Sequence, residues 1–211
     1  MSDISPELRT KLSQRAKDHY PNVLPYHNWD HALDMMDIVA DLADRSINPE
    51  IKDKRNLLIL TAAWHDADYA IEDLGNYASK EERSAYLALE KLPELSAENA
   101  DLVFNGILDT TVSKTPKSSL FGEVTHAADV GYFAAERSRF MGRLALIREE
   151  WGSPSWDVTV ERTLSFGRLV IEETKEFMPD VLSEADSNAW FTQIEDNLRN
   201  LRDDLESGKL V

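Results

Sequence analysis

The chain has 211 residues, 39 acidic against 23 basic side chains for a formal net charge of -16, and no cysteine. The acidic excess excludes a basic groove and leads us to expect neither a nucleic acid polymer nor an anionic membrane surface as partner; the lack of cysteine excludes disulfides, zinc–thiolate sites, iron–sulfur clusters and thiol nucleophiles. A hydrophobic content of 42% belongs to a globular chain; no apolar run approaches the roughly 18 residues needed to span a bilayer. The opening Met-Ser-Asp-Ile-Ser-Pro lacks a secretion-signal pattern, so a cytoplasmic protein is expected.

Helical periodicity dominates and alternating strand patterns are missing, which predicts an all-α fold: one domain over residues 1–211, with about eight to ten helices. A first helix starts at Ser5-Pro6, a cap followed by a proline at the first helical position, and runs to about Tyr20. The next follows Asn28, with His31, Met35, Ile38 and Leu42 on one face, so His31 is predicted to point inward. A third runs from about Pro49 to Asp66; Leu57 to Trp64 is apolar on nearly every side and reads as central core, with His65-Asp66 at its end.

Ser79-Lys80-Glu81-Glu82 has the form of a capping box and opens a helix that stops before Pro93. Another covers about Ala97 to Thr111, and a loop with Ser113, Lys114, Pro116 and Lys117 leads to helices around 119–137 and 139–151. Beyond Gly152-Ser153-Pro154, covering helices over about 155–208 complete the chain. The last carries Trp190, Ile194, Leu198, Leu201 and Leu205 on one stripe, the pattern of a helix laid over a bundle.

Three of the five histidines lie in two short segments with apolar flanks. Tyr26-His27-Asn28-Trp29-Asp30-His31 sets two imidazoles four residues apart, and His65-Asp66 sets an imidazole beside a carboxylate. These nitrogen and oxygen donors suit divalent ions such as Zn, Fe or Mn. Buried together without a cation, they would suffer desolvation that hydrogen bonds offset only in part.

A histidine, then His-Asp, then a distant aspartate on a helix resembles the signature of the HD superfamily of metal-dependent phosphohydrolases. Tyr-His-Asn-x-x-His at 26–31 is similar to the entry of that site in bacterial HD hydrolases and in cyclic-nucleotide phosphodiesterases. Trp64-His65-Asp66-Ala67-Asp68-Tyr69 with Glu81-Glu82-Arg83-Ser84-Ala85 resembles the bacterial group. Ile107-Leu108-Asp109-Thr110, Ala127-Ala128-Asp129-Val130 and Arg148-Glu149-Glu150 extend the resemblance over about residues 20–175. Two departures stand out: Lys80 takes the place of the group's usual asparagine, and Thr111-Val112-Ser113 offers no histidine after the Ile-x-x-Thr segment.

The resemblance implies an HD-type helical bundle with His31, His65, Asp66 and Asp129 as ligands to one or two divalent ions drawn from Mn, Fe, Zn, Mg, Ni or Co. His27 is implied as proton donor to the leaving group, a role that also suits its place just before the helix. Asp66 can bind one ion or bridge two. Glu81 and Asp68 are placed in sequence to position a water or orient His65, and His126, three residues before Asp129, to orient that aspartate, to lie at the surface or, less favoured, to add a further ligand. Arg83, Lys114, Lys117 and Arg148 are the candidates to face phosphate, Arg83 and Arg148 on the strength of the resemblance.

The expected activity is hydrolysis of a small phosphorylated substrate by metal-activated water. The HD scaffold also hosts di-iron oxygenases, against which the few histidines count, and a non-catalytic metal- or nucleotide-binding module is the third reading. A homodimer is compatible with all three.

Overall fold

The computed structural model describes residues 3–21, 23–69, 74–112 and 116–210, and within them every regular element is helical. In chain order these are α1 (Pro6–Lys17), α2 (Trp29–Arg45), α3 (Pro49–Asp53), α4 (Arg55–Trp64), α5 (Lys80–Lys91), α6 (Ala97–Leu108), α7 (Leu120–Asp129), a 3-10 turn (Gly131–Ala134), α8 (Arg137–Glu150), α9 (Trp156–Thr174), α10 (Met178–Val181) and α11 (Glu184–Glu206).

The local chemistry explains most boundaries. Ser5, Ser79 and Ser96 each accept a hydrogen bond from a backbone N–H in the first turn of α1, α5 and α6. Asn28 does the same for α2, accepting from Asp30 and His31 N–H, while its amide donates to the carbonyls of Leu24 and Pro25. One residue thus ties the approach loop to the helix that it starts.

Two expectations are corrected. The helix anticipated over 49–66 breaks at Lys54, whose N–H turns back to Ile51 and Lys52 carbonyls. The fresh N-terminus at Arg55 is capped from outside: Asp3 accepts from the N–H groups of Asn56 and Leu57. The helix anticipated over 119–137 stops at Asp129, and Gly131 follows because a Cβ there would lie 2.8 Å from Ile38 and 3.2 Å from Trp190. This close approach sets the end of α7 against α2 and α11.

The apolar side chains form two clusters. The larger surrounds α4, whose residues Leu57 to Trp64 are all buried, and it gathers α1, α2, α5, α6 and α7. The smaller joins Val130, Phe133, Phe140, Leu144, Val160 and Val170 to Ile194, Leu198 and Leu201 of α11. Trp190 and Phe191 pack against both. The α11 stripe therefore serves internal packing.

Candidate metal centre

Three helix ends deliver the four predicted ligands to the seam between the clusters. His31 sits in the first turn of α2, His65-Asp66 follows α4, and Asp129 closes α7. His31 Nε2 stands 3.1 Å from His65 Nε2, 3.2 Å from Asp129 Oδ1 and 3.5 Å from Asp66 Oδ2. His65 Nε2 stands 3.1 Å from Asp66 Oδ2 and 3.5 Å from Asp129 Oδ1. His31, His65 and Asp66 are buried and offer donor atoms all within 4.8 Å of one another.

The turn after α4 is held from several sides. Tyr20 Oη accepts from Asp66 N–H at 3.3 Å, the His19 carbonyl accepts from Asp68 N–H at 2.9 Å, and Ser84 Oγ donates to the Ala67 carbonyl at 2.6 Å. His65 Nδ1 lies 2.8 Å from the Ala62 carbonyl, which can only accept, so Nδ1 carries the proton and Nε2 faces the cluster. This is the arrangement of a metal-binding imidazole with its second nitrogen tied to backbone.

A divalent cation fits this donor set. Ligand atoms about 2.0–2.1 Å from a shared ion lie about 2.9 Å apart at octahedral and about 3.3 Å apart at tetrahedral angles; the spacings of 3.1 and 3.2 Å fall between these values, and the two of 3.5 Å lie slightly above them. Charge points the same way. Burial would lower the His65 imidazole, but Asp66 and Asp129 hold it well above its ordinary value; burial keeps the His31 imidazole below its own despite Asp129. Burial likewise opposes ionisation of the two carboxylates, yet His65 holds Asp66 low, and bonds from His31 and His65 hold Asp129 well below the usual range. Two anions thus hold a second proton on the His65 imidazole, and a divalent ion bound at Nε2 would displace that proton and balance the two carboxylate charges.

A cavity of about 220 Å³ opens beside the cluster, with His27, Asp66, Glu81, Thr110 and Asp129 among its polar walls. Tyr26, Tyr69, Tyr132, Ile147, Trp151 and Phe166 make most of the apolar walls. The first cluster brings the ligands and the second much of the far wall.

His27 lies 5.8 Å from His31, ring to ring. Its Nδ1 contacts Glu150 Oε1, and Glu150 Oε2 accepts from the N–H groups of both Tyr26 and His27 at 3.0 Å. Burial would raise the Glu150 carboxyl, but these bonds pull it down to about 2. A carboxylate on Nδ1 makes that nitrogen the donor and leaves Nε2 for a reacting group. Sequence reasoning matched Glu150 to the family's pattern but assigned it no role, because 123 residues separate it from His27.

The remaining predicted site residues are placed differently. Arg83 Nε donates to Asp68 at 2.6 Å, so these two join α5 to the turn after α4. Lys117 donates to the Thr111 carbonyl at 2.7 Å, and Arg148 donates to the Pro154 carbonyl and stacks over Trp156. None of these three cations lines the cavity, and Lys114 lies outside the described residues. His126 is fully buried, not at the surface, and its Nε2 pairs with Glu173 at 2.9 Å. Burial, then Lys117, lower its pKa.

No family model matches the chain, and no curated protein sequence matches it. Solved structures do. The chain is similar to the phosphodiesterase domain of Salpingoeca rosetta rhodopsin phosphodiesterase, with a TM-score of 0.74 and 15% identity over 98% of this chain and 83% of that one. A second structure, the phosphodiesterase domain of the RhoPDE fusion protein from the same choanoflagellate, gives 0.75 and 16% over 99% and 86%. The structure of LmjPDEB1 in complex with IBMX gives 0.67 and 14% over 95% and 83%. At these identities the shared property is the fold, which is that of all-helical phosphodiesterase domains.

Proposed function

We propose that this chain, which folds as phosphodiesterase domains do, is a divalent-metal-dependent hydrolase of phosphate esters. The observation that carries the reading is the convergence of His31, His65, Asp66 and Asp129 beside a cavity whose wall holds His27 with its Nδ1 tied to Glu150. When bound to those four residues, a divalent ion supplies an activated water and polarises the phosphoryl oxygen.

The residues of the chain supply the rest. The attacking oxygen forms its bond to phosphorus as the bond to the leaving oxygen breaks, and the electron pair stays on the departing oxygen. That oxygen takes the proton from His27 Nε2, and Glu150 keeps the imidazole oriented and compensates its charge while it is protonated. Glu81 lines the cavity, which supports a role in holding the incoming water. Proton donors of this kind contribute about 10²–10⁴ in rate.

The His126–Glu173 pair favours this reading over an oxygenase. His126 is engaged by α9, so among the described residues the cluster has two imidazoles.

The test is hydrolysis of simple phosphomonoesters and diesters by the purified chain with each of Mn, Mg, Co, Ni, Zn and Fe. Turnover that disappears in His65→Ala and Asp66→Ala is expected. Equal turnover in those variants, or none with any metal, contradicts the proposal.

A further inference from the structure

His27 is held by more than Glu150. The Tyr69 ring lies parallel to it, with centroids 3.9 Å apart and planes at 11°. Lys80 Nζ stands over the Tyr69 ring, 3.7 Å from its centroid. Both contacts are too short to share one face, so Lys80 and His27 sandwich the tyrosine. The edge of His27 meets Tyr26 at 4.9 Å and 87°.

These contacts constrain different motions. A single bond from Nδ1 to a carboxylate anchors one atom of the ring but leaves the plane free to tilt about that bond. Proton delivery from Nε2 is sensitive to that tilt, because hydrogen bonds weaken steeply once the donor angle falls below about 120°. A parallel aromatic wall removes the tilt. An ammonium ion over the outer face of that wall holds it in place, since the ring's negative face attracts a cation.

The two parts arrive from different elements. Tyr69 follows the His-Asp turn, whose geometry is set by Asp68 with its positive φ of 76° and by the Asp68–Arg83 pair. Lys80 is the first residue of α5 and stands where the resembling hydrolases usually have asparagine. An amide is uncharged and cannot make the cation–ring contact.

We propose that Tyr69 is a positioning residue that sets the plane of His27 for proton delivery, and that Lys80 clamps Tyr69 from its outer face. This rests on the reading of His27 as proton donor, so two independent measurements are needed.

The first compares the Mn-loaded wild-type chain with Tyr69→Phe, Tyr69→Leu and Lys80→Met on bis(4-nitrophenyl) phosphate and bis(4-methylphenyl) phosphate. The esters have similar shape, but the methylphenolate is the more basic leaving group and depends more on a donated proton. In Tyr69→Leu, kcat for the methyl ester should fall at least tenfold more than kcat for the nitro ester. Tyr69→Phe should restore the wild-type ratio, and Lys80→Met should fall between. An equal fall for both esters overturns the proposal.

The second needs neither metal nor turnover: the proton NMR signal of His27 Nδ1–H, assigned by its loss in His27→Gln. It should be downfield and slowly exchanging in wild type and Tyr69→Phe, and broadened or lost in Tyr69→Leu. An unchanged signal in Tyr69→Leu overturns the proposal. Wild type inactive on every ester would contradict the hydrolase reading, and the NMR comparison alone would then decide whether Tyr69 holds His27.

Discussion

Glu150 shows how one carboxylate can organise an imidazole by several bonds at once. Its two oxygens take the His27 ring proton and two backbone N–H groups, so the imidazole and the chain that carries it move together. Glu150→Gln keeps the shape but loses the charge, and should lower kcat by about 10-fold or more, a part of the roughly 10²–10⁴ that a proton donor contributes, while leaving metal content unchanged; steady-state kinetics with metal analysis checks this. The same residue makes a pH prediction. Its folded-state carboxyl is held at about 2, below the ordinary 4.5, so its stabilisation is complete above about 4.5 and is lost as pH falls toward 2. Acid unfolding of Glu150→Gln should show a shallower loss of stability in that window than wild type. At this scale the burial of His31 and His65-Asp66 was legible, because helical phase turned His31 inward and the His-Asp pair stood at the end of a buried run. The partner of His27 was not, since no local period links α8 to the loop before α2.

At the scale of elements, the site depends on where helices stop. Asn28 begins α2 so that His31 falls in its first turn, and Asn28→Ala should cost about 0.5–2 kcal/mol in a denaturant titration through loss of the cap. It should also raise the concentration of metal needed for half-saturation. The α6–α7 connection has a comparable point of weakness. A Cβ at Gly122 would lie 1.8 Å from Asp109 Oδ2, and Asp109 accepts from Ser118 N–H, so Gly122→Ala displaces the carboxylate that braces this loop. A destabilisation of about 1–3 kcal/mol is expected from such overpacking. Because Thr110 and Val112 line the cavity, KM should rise as well. Capping serines and asparagine were readable from sequence. The breaks at Lys54 and Val130 were not: one is capped by Asp3, more than fifty residues away, and the other is set by Gly131 meeting Ile38 and Trp190. Both depend on tertiary contacts that periodicity does not encode. The contacts of the candidate phosphate-facing cations were not legible for the same reason: Arg83 meets Asp68, and Arg148 meets the Pro154 carbonyl and Trp156.

For the whole molecule, the acidic balance and the centre belong to one account. A chain of formal charge -16 gathers two of its carboxylates, buried Asp66 and half-buried Asp129, at the seam of its two apolar clusters, a costly arrangement unless a cation joins them. Metal binding is then coupled to folding, and saturating ion should raise the melting temperature while a chelator lowers it. Among the described residues no helix is long and apolar enough to cross a membrane. The all-α class was readable from helical periodicity throughout, whereas the meeting of two apolar clusters around one cavity emerges only when α8, α9 and α11 fold back over α2, α4 and α7.

The central claim, that His31, His65, Asp66 and Asp129 form one metal centre, is tested most directly by elemental analysis of the purified chain and of His31→Ala, His65→Ala, Asp66→Ala and Asp129→Ala after equilibration with Mn and removal of free ion. The account predicts one or two ions per wild-type chain and a clear loss in each variant that keeps its helical circular dichroism. Wild type that retains no ion, or folded variants that retain as much as wild type, would contradict it.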